Sequence, residues 1–232
     1  MSDEHSKTLT ILLPALNEEE SIGEVIDSIP MQEVAGAGYE TSILVLDGHS
    51  TDRTRSIAQE RGAKVVIQKG RGKGLAVRMG FEMSDSDFLI MMDADGTYPT
   101  EDVPTFLATL DKGADVVMGS RFLGGIEKGS MSNLNRAGNR LLSLLASTLY
   151  RRETTDVCTG MWGFNRKTLK TLRLDSTTFE IESEIFAQAS KAGLGIREIP
   201  IRYSRRKGRA KLRSLRSGTR IGLKLVRKRI VP

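Results

Sequence analysis

The first half of the chain alternates short apolar runs with segments in which apolar residues recur every three or four positions. The runs are Thr8–Leu13 (TLTILL), Ser42–Leu46 (SILVL), Lys64–Gln68 (KVVIQ), Asp87–Met92 (DFLIMM) and Asp115–Met118 (DVVM). Each is too uniformly apolar for a strand with one wet face, so buried parallel strands are predicted. Between them, Glu18–Ile29, Thr51–Arg61, Gly74–Met83 and Thr100–Leu110 have helical spacing, with Ser50 or Thr51 and Thr100 available as N-caps. A βαβ series of this kind folds as an open twisted sheet with right-handed crossovers. Ligands of such sheets bind outside the carboxyl ends of the strands, and polar clusters are therefore sought there.

After Gly119 the rhythm changes. Asn133–Tyr150 and Glu180–Ala192 read as helices, Thr155–Phe164 as a Gly-containing loop or irregular strand, and Gly195–Tyr203 as a strand. Ser214–Ile230 is predicted to be a helix, with Leu215, Ile221, Leu223, Leu225 and Val226 on a loosely apolar side amid Arg and Lys. The net charge of +6 is a property of this end: 13 Lys and Arg and no Asp or Glu lie between Arg202 and Pro232, which leaves 22 basic and 29 acidic residues before them. Such a tail fits a polyanion, with anionic lipid headgroups and nucleic acid as the two candidates. No apolar run approaches the roughly 20 residues of a membrane span. Asp3 and Glu4 stand where a signal peptide is basic. With one cysteine (Cys158) and two histidines (His5 and His49), a bound metal is expected to be held mainly by oxygen.

The polar clusters fall at the predicted strand ends. Pro14-Ala15-Leu16-Asn17-Glu18 offers an amide and a carboxylate to a base or ribose, or else simply an acidic helix N-terminus. Asp47-Gly48-His49-Ser50-Thr51-Asp52 places Asp47 to accept hydrogen bonds from a nucleoside, while Ser50 and Asp52 fit capping and turn roles. Lys69-Gly70-Arg71-Gly72-Lys73-Gly74 interleaves glycines with cations, which suits a diphosphate or a solvated turn, but it lacks P-loop spacing. Asp93-Ala94-Asp95-Gly96-Thr97 puts two carboxylates on one side of an extended segment. They repel unless a cation lies between them, and Mg²⁺ or Mn²⁺ bridging to a diphosphate supplies one; a polar Asp/Gly turn is the plainer alternative.

In this order the clusters resemble family 2 glycosyltransferases, and more narrowly the dolichol-phosphate mannose and glucose synthases and archaeal dolichyl-phosphate hexosyltransferases. The resemblance runs from Thr8 to about Leu212. It is carried by PALNEEESIGEVI, LDGHSTDRT and DADGTYP, then SRF, LNRAGNRL, DVCTGMWGFNR, FEIESEI and EIPIRYSRRKGRAKL. It implies a GT-A fold, Rossmann-like and mostly parallel, over residues 1–212, followed by a basic amphipathic helix at 213–232. Pro14, Ala15, Asn17, Glu18 and Asp47 would hold the nucleoside. Lys73, Asp93, Ala94 and Asp95 would hold the diphosphate, with Asp93 and Asp95 binding Mg²⁺ or Mn²⁺. Arg121, Asn135, Arg136 and Arg205 would hold the acceptor phosphate or sugar, and Glu182 and Glu184 are candidates for sugar contacts, with helix-surface solvation expected for at least one. Thr97 stands where the mannose synthases have Gln, and Gly48 where the common motif has a second Asp.

The implied reaction is inverting, metal-dependent transfer of a hexose to dolichyl or polyprenyl phosphate, giving a lipid-phosphate-sugar for protein glycosylation. UDP-glucose is the favoured donor, ahead of UDP-N-acetylglucosamine and GDP-mannose. The acceptor is already an anion, so arginines rather than a strong base are expected around it. A nucleotidyltransferase is the rival from a similar sheet. A nucleic-acid partner is not expected, because the cations are confined to one end and aromatics are only 5%. An enzyme peripheral to the cytoplasmic membrane face is expected from the basic tail.

Overall fold

The computed structural model describes residues 6–207 and 214–230. Seven strands, β1 Lys7–Ala15, β2 Tyr39–Asp47, β3 Lys64–Ile67, β4 Phe88–Met91, β5 Val116–Ser120, β6 Trp162–Asn165 and β7 Ile196–Pro200, form one sheet. Their order is β3-β2-β1-β4-β6-β5-β7, and all neighbours are parallel except β6, which runs antiparallel to β4 and β5. The helices are α1 Ile22–Asp27, α2 Met31–Gly36, α3 Thr54–Glu60, α4 Lys73–Met83, α5 Val103–Asp111, α6 Arg121–Gly124, α7 Asn133–Tyr150, α8 Arg166–Thr171, α9 Ile181–Lys191 and α10 Ser214–Ile230.

The apolar runs are explained by burial on both faces. Leu9, Ile11 and Leu13 of β1 enter one core cluster and Leu12 the other; Ile90 and Leu89 of β4, and Val117 and Met118 of β5, divide in the same way. β3 departs from the prediction. It is an edge strand, and Lys64 and Ile67 are exposed, so its apolar character is not that of a two-sided core strand. β6 replaces the predicted loop or irregular strand. Trp162 and Phe164 stack at 6.3 Å in one core cluster, while a Cβ on Gly163 would stand 3.1 Å from Phe106 and from Leu110 on the other face.

The helix starts also differ. The stretch 18–29 contains only the short helix α1, and α2 follows it after Pro30. Neither Ser50 nor Thr51 caps α3, whose N-cap is Arg53; Ser50 Oγ instead accepts the Asn17 amide at 2.9 Å. Thr100 opens a 3-10 turn before α5, and its hydroxyl donates to the Ser28 carbonyl at 2.9 Å.

The basic helix α10 packs on α7 and α9. Ile221 and Leu225 are buried in the core, and Tyr150 donates to the Leu225 carbonyl at 2.8 Å. Lys228 reaches Glu184 at 2.5 Å and Asp175 at 3.2 Å, and Lys224 bonds Asp175 at 2.5 Å. Part of the expected membrane face therefore belongs to the protein interior. Leu223, Val226 and Ile230 remain exposed, as do Leu134, Leu141 and Leu144 of α7. The side chain of Leu215 and the proposed boundary at 212/213 lie outside the described residues. No helix among the described residues is long and apolar enough to cross a membrane.

Candidate active site

The carboxyl ends of β1, β2 and β4 open onto one mouth. Parallel register aligns Ala15 with Asp47, and the Met92 amide just past β4 bonds the Leu12 carbonyl, so Asp93–Thr97 leaves the sheet beside Asn17–Ser21. Ser21 Oγ fixes that proximity by donating to the Ala94 carbonyl at 2.8 Å.

Four carboxylates and two cations meet there. Lys73, the first residue of α4, pairs with both Asp93 and Glu182. Arg206 pairs with Glu18 at 2.6 Å and with Asp95 at 3.0 Å. Asp95 Oδ1 also accepts the Thr97 hydroxyl at 2.6 Å and the Thr97 amide at 3.1 Å. Burial and the neighbouring Asp93 push the Asp95 carboxyl up, against the pull of Arg206 and Thr97. Burial likewise raises Glu182, with Lys73 opposing it. Lys73 stays protonated despite burial because two carboxylates face it.

Among the described residues Lys73 and Arg206 are the cations paired with these four carboxylates, and the acidic mouth offers oxygen ligands of the kind a divalent ion takes. Among the described residues no group of three or more His, Cys, Asp or Glu converges to hold a metal. Asp93 and Asp95 therefore fit an ion completed by phosphate oxygens and water, the usual arrangement for Mg²⁺.

The other expected residues take several places. Pro14 and Ala15 end β1, and the Ala15 carbonyl accepts from Gly48 at 2.7 Å. Asn17, at a left-handed φ of 48°, accepts the Thr51 amide at 2.8 Å through its side chain. Asp47 is wholly buried and accepts the amides of His49 and Ser50, both at 3.1 Å, so its carboxylate shapes the 47–52 turn from within. Asp52 accepts the Thr54 amide at 3.0 Å, a turn-fixing role. The glycine-rich turn also serves the protein itself: a Cβ on Gly74 would meet the Ser176 carbonyl oxygen at 2.6 Å, and one on Gly72 would meet the Thr177 carbonyl oxygen closer still. Close approach to the 176–177 backbone is what these glycines permit here.

Arg121, expected at the acceptor, is paired with an acid from within the fold. It is buried, with Nε and one amino group each 2.6 Å from Asp156, and its guanidinium lies over the Tyr203 ring at 5.2 Å. It braces the site from inside. Arg205 is exposed and donates to the Lys128 carbonyl at 2.9 Å. Asn135 is capped by Ser132 in the first turn of α7, and beside it the Nε of Arg136 is buried without a hydrogen-bond partner among the described residues. Glu182 and Glu184 are both buried, against the expectation that one faces solvent. Glu184 accepts the Ser176 amide at 2.7 Å and holds α10 through Lys228, so it is a structural anchor. Burial pushes the Cys158 thiol up to about 12.

Sequence reasoning missed Arg206 and Asp156. Arg206 was one of 13 cations in a tail with no local distinguishing mark. Asp156 is the only acid between Glu153 and Asp175, but nothing in its neighbours points to Arg121 across the sheet.

An open, mostly parallel sheet flanked by helices, with acidic residues at the mouth, is the architecture of GT-A glycosyltransferases. The chain belongs to the family described as Glycosyl transferase family 2, which its residues 10–173 match. It is 35% identical to the dolichyl-phosphate hexose transferase of Haloferax volcanii, over 94% of this chain and 92% of that one. It is 36% identical to glycosyltransferase AglJ and 38% identical to the low-salt glycan biosynthesis hexosyltransferase Agl6, both from the same organism. The chain spans only 62% and 52% of the lengths of those two. Among solved structures, glucosyl-3-phosphoglycerate synthase from Mycobacterium tuberculosis, in complex with Mn²⁺, UDP-glucose and phosphoglyceric acid, superposes with a TM-score of 0.76. The match covers 97% of this chain and 81% of that one at 22% identity, a likeness of fold.

Proposed function

We propose that this glycosyltransferase moves a hexose, with inversion, from a nucleotide sugar to dolichyl or polyprenyl phosphate, with UDP-glucose as the favoured donor, to supply a lipid-linked sugar for protein glycosylation. The observation that carries this is the acidic cluster of Asp93, Asp95, Glu18 and Glu182 at the sheet mouth, paired among the described residues with Lys73 and Arg206. The likeness to the Haloferax dolichyl-phosphate hexose transferase over nearly both full lengths supports the lipid-phosphate acceptor.

A divalent cation held by Asp93 and Asp95 would stabilise the charge that develops on the leaving diphosphate. The chain's own residues do the remaining work. Lys73, locked between Asp93 and Glu182, holds the Asp93 carboxylate in direction. Asn17 and the 47–52 turn shape the wall assigned to the nucleoside. Arg136, with its unpartnered Nε, and Arg205 bind the acceptor phosphate by charge-assisted hydrogen bonds. Because that phosphate is already anionic, orientation replaces base catalysis, and positioning alone lowers such a barrier by roughly 7–11 kcal/mol.

Incubation of the pure protein with dolichyl phosphate and each of UDP-glucose, UDP-N-acetylglucosamine and GDP-mannose tests the assignment. A lipid-linked hexose and free UDP are expected from UDP-glucose, with both lost in EDTA. Pyrophosphate as the released product would instead mark a nucleotidyltransferase.

The lipid acceptor is reached by peripheral attachment to the cytoplasmic face of a membrane. Leu223, Val226 and Ile230 project from α10 among the exposed Arg220, Arg227 and Arg229, a combination suited to an anionic interface. Replacing the three apolar residues with Ser spares Ile221 and Leu225 in the core. Flotation with vesicles containing anionic lipid is expected to fall at least about tenfold, from the apolar area withdrawn. Unchanged flotation would refute attachment through α10.

A further inference from the structure

Given Asp93 and Asp95 as the cation-binding pair proposed above, we infer that Arg206 is an internal counter-cation that occupies the place of the metal and must withdraw from Asp95 before an ion binds.

Both oxygens of Asp95 are engaged. Oδ1 accepts the Thr97 amide and hydroxyl, and Oδ2 faces the Arg206 guanidinium at 3.0 Å. A metal ion ligated by that carboxylate would sit at roughly 2.0–2.1 Å from its oxygen. A guanidinium and a divalent ion on one oxygen are two cations within a few ångströms, and burial weakens the solvent screening between them. One excludes the other.

The placement of Arg206 is built into the backbone. The Ser204 amide bonds the Thr97 carbonyl at 3.0 Å, and the Lys207 amide bonds the Asp95 carbonyl at 3.2 Å. These two bonds lay residues 204–207 along the segment that carries Asp95, and Lys207 adds a contact to Glu24. The strap is also tied at its other side, where Tyr203 and Gly125, and Glu127 and Tyr203, exchange backbone bonds at 2.9 Å. Arg206 therefore reaches both Glu18 and Asp95 without disturbing the sheet.

Its own bonding is incomplete. Nε is buried with no hydrogen-bond partner among the described residues, and the guanidinium uses its amino groups on Glu18 and Asp95. Lys73 is placed differently, on Asp93 and Glu182, and stays paired with both while Arg206 moves. Release of Asp95 alone is enough to open the site. In this arrangement the strap holds the acidic mouth together in the absence of metal, and metal loading is coupled to its displacement.

The test measures Mn²⁺ alone, without nucleotide. By titration calorimetry, Arg206→Gln is expected to bind Mn²⁺ about tenfold more tightly than wild type, within the 5–150-fold range usual for coupled ligands. Asp95→Asn should abolish that binding, and Lys207→Gln, a cation of the same strap on Glu24, should change it less than about twofold. In thermal melts, Arg206→Gln should be less stable than wild type in EDTA and gain more from added Mn²⁺, as linkage requires. If wild type binds Mn²⁺ through Asp95 and Arg206→Gln binds no more tightly, the counter-cation role fails while the metal site stands. If neither protein binds Mn²⁺, the metal site fails and the role of Arg206 falls with it.

Discussion

Asp95→Asn is expected to lower kcat by about 10³ while leaving the fold intact. Removing one preorganised electrostatic contact from the developing charge of a transition state costs about 10²–10³ in rate. Asp95 also supplies one of only two carboxylates assigned to the ion, which puts the loss at the upper end of that range. The fold tolerates the change because Asn keeps a side-chain carbonyl where Oδ1 accepts from Thr97, at 2.6 and 3.1 Å. Arg206 retains Glu18 at 2.6 Å and is about a quarter exposed, so it is not left as an unpaired buried charge. Initial rates with nucleotide sugar and dolichyl phosphate, alongside a thermal melt, separate the two effects. A variant within tenfold of the wild-type rate would remove Asp95 from the chemistry.

The residues that proved most readable were those whose local pattern already states their environment. Uniform apolar runs identify β1, β4 and β5, because burial on both faces of a sheet removes every polar alternative at alternate positions. Asp93 and Asp95 stood out because carboxylates directly after such a run have no packing reason to be there. β6 was harder to see. It has four residues, one a glycine and one an Asn that caps α8, and its antiparallel place between β4 and β5 depends on partners more than 40 residues away. Long-range charge pairing was invisible for the same reason. Lys73 finds Glu182, Glu18 finds Arg206 and Glu184 finds Lys228 through the fold, not through spacing. The same blindness made Ile221 and Leu225 look available to a membrane, although α7 and α9 already cover them.

Arg121 and Asp156 bring the second large effect. Asp156 is fully buried and accepts three bonds from Arg121: its amide at 3.1 Å, and Nε and an amino group at 2.6 Å. Asp156→Ala strands a guanidinium in the interior. Burial then works against its charge without a carboxylate to offset it, and the expected loss is about 3–5 kcal/mol. For a chain of this size that corresponds to a fall in Tm of roughly 6–20 °C. The double variant Arg121→Met/Asp156→Leu removes both charges and fills similar volume, and buried pairs replaced in this way are often neutral or better in stability. It is therefore expected to melt close to wild type. Its activity decides what Arg121 does: as a brace whose guanidinium is engaged by Asp156, its replacement should leave the rate within about tenfold, because the acceptor phosphate is assigned in the proposal to Arg136 and Arg205. A double variant as stable as wild type but with an acceptor KM raised a hundredfold would mean that Arg121 touches the lipid phosphate after all. Stability alone does not distinguish those outcomes; the split between Tm and acceptor KM does.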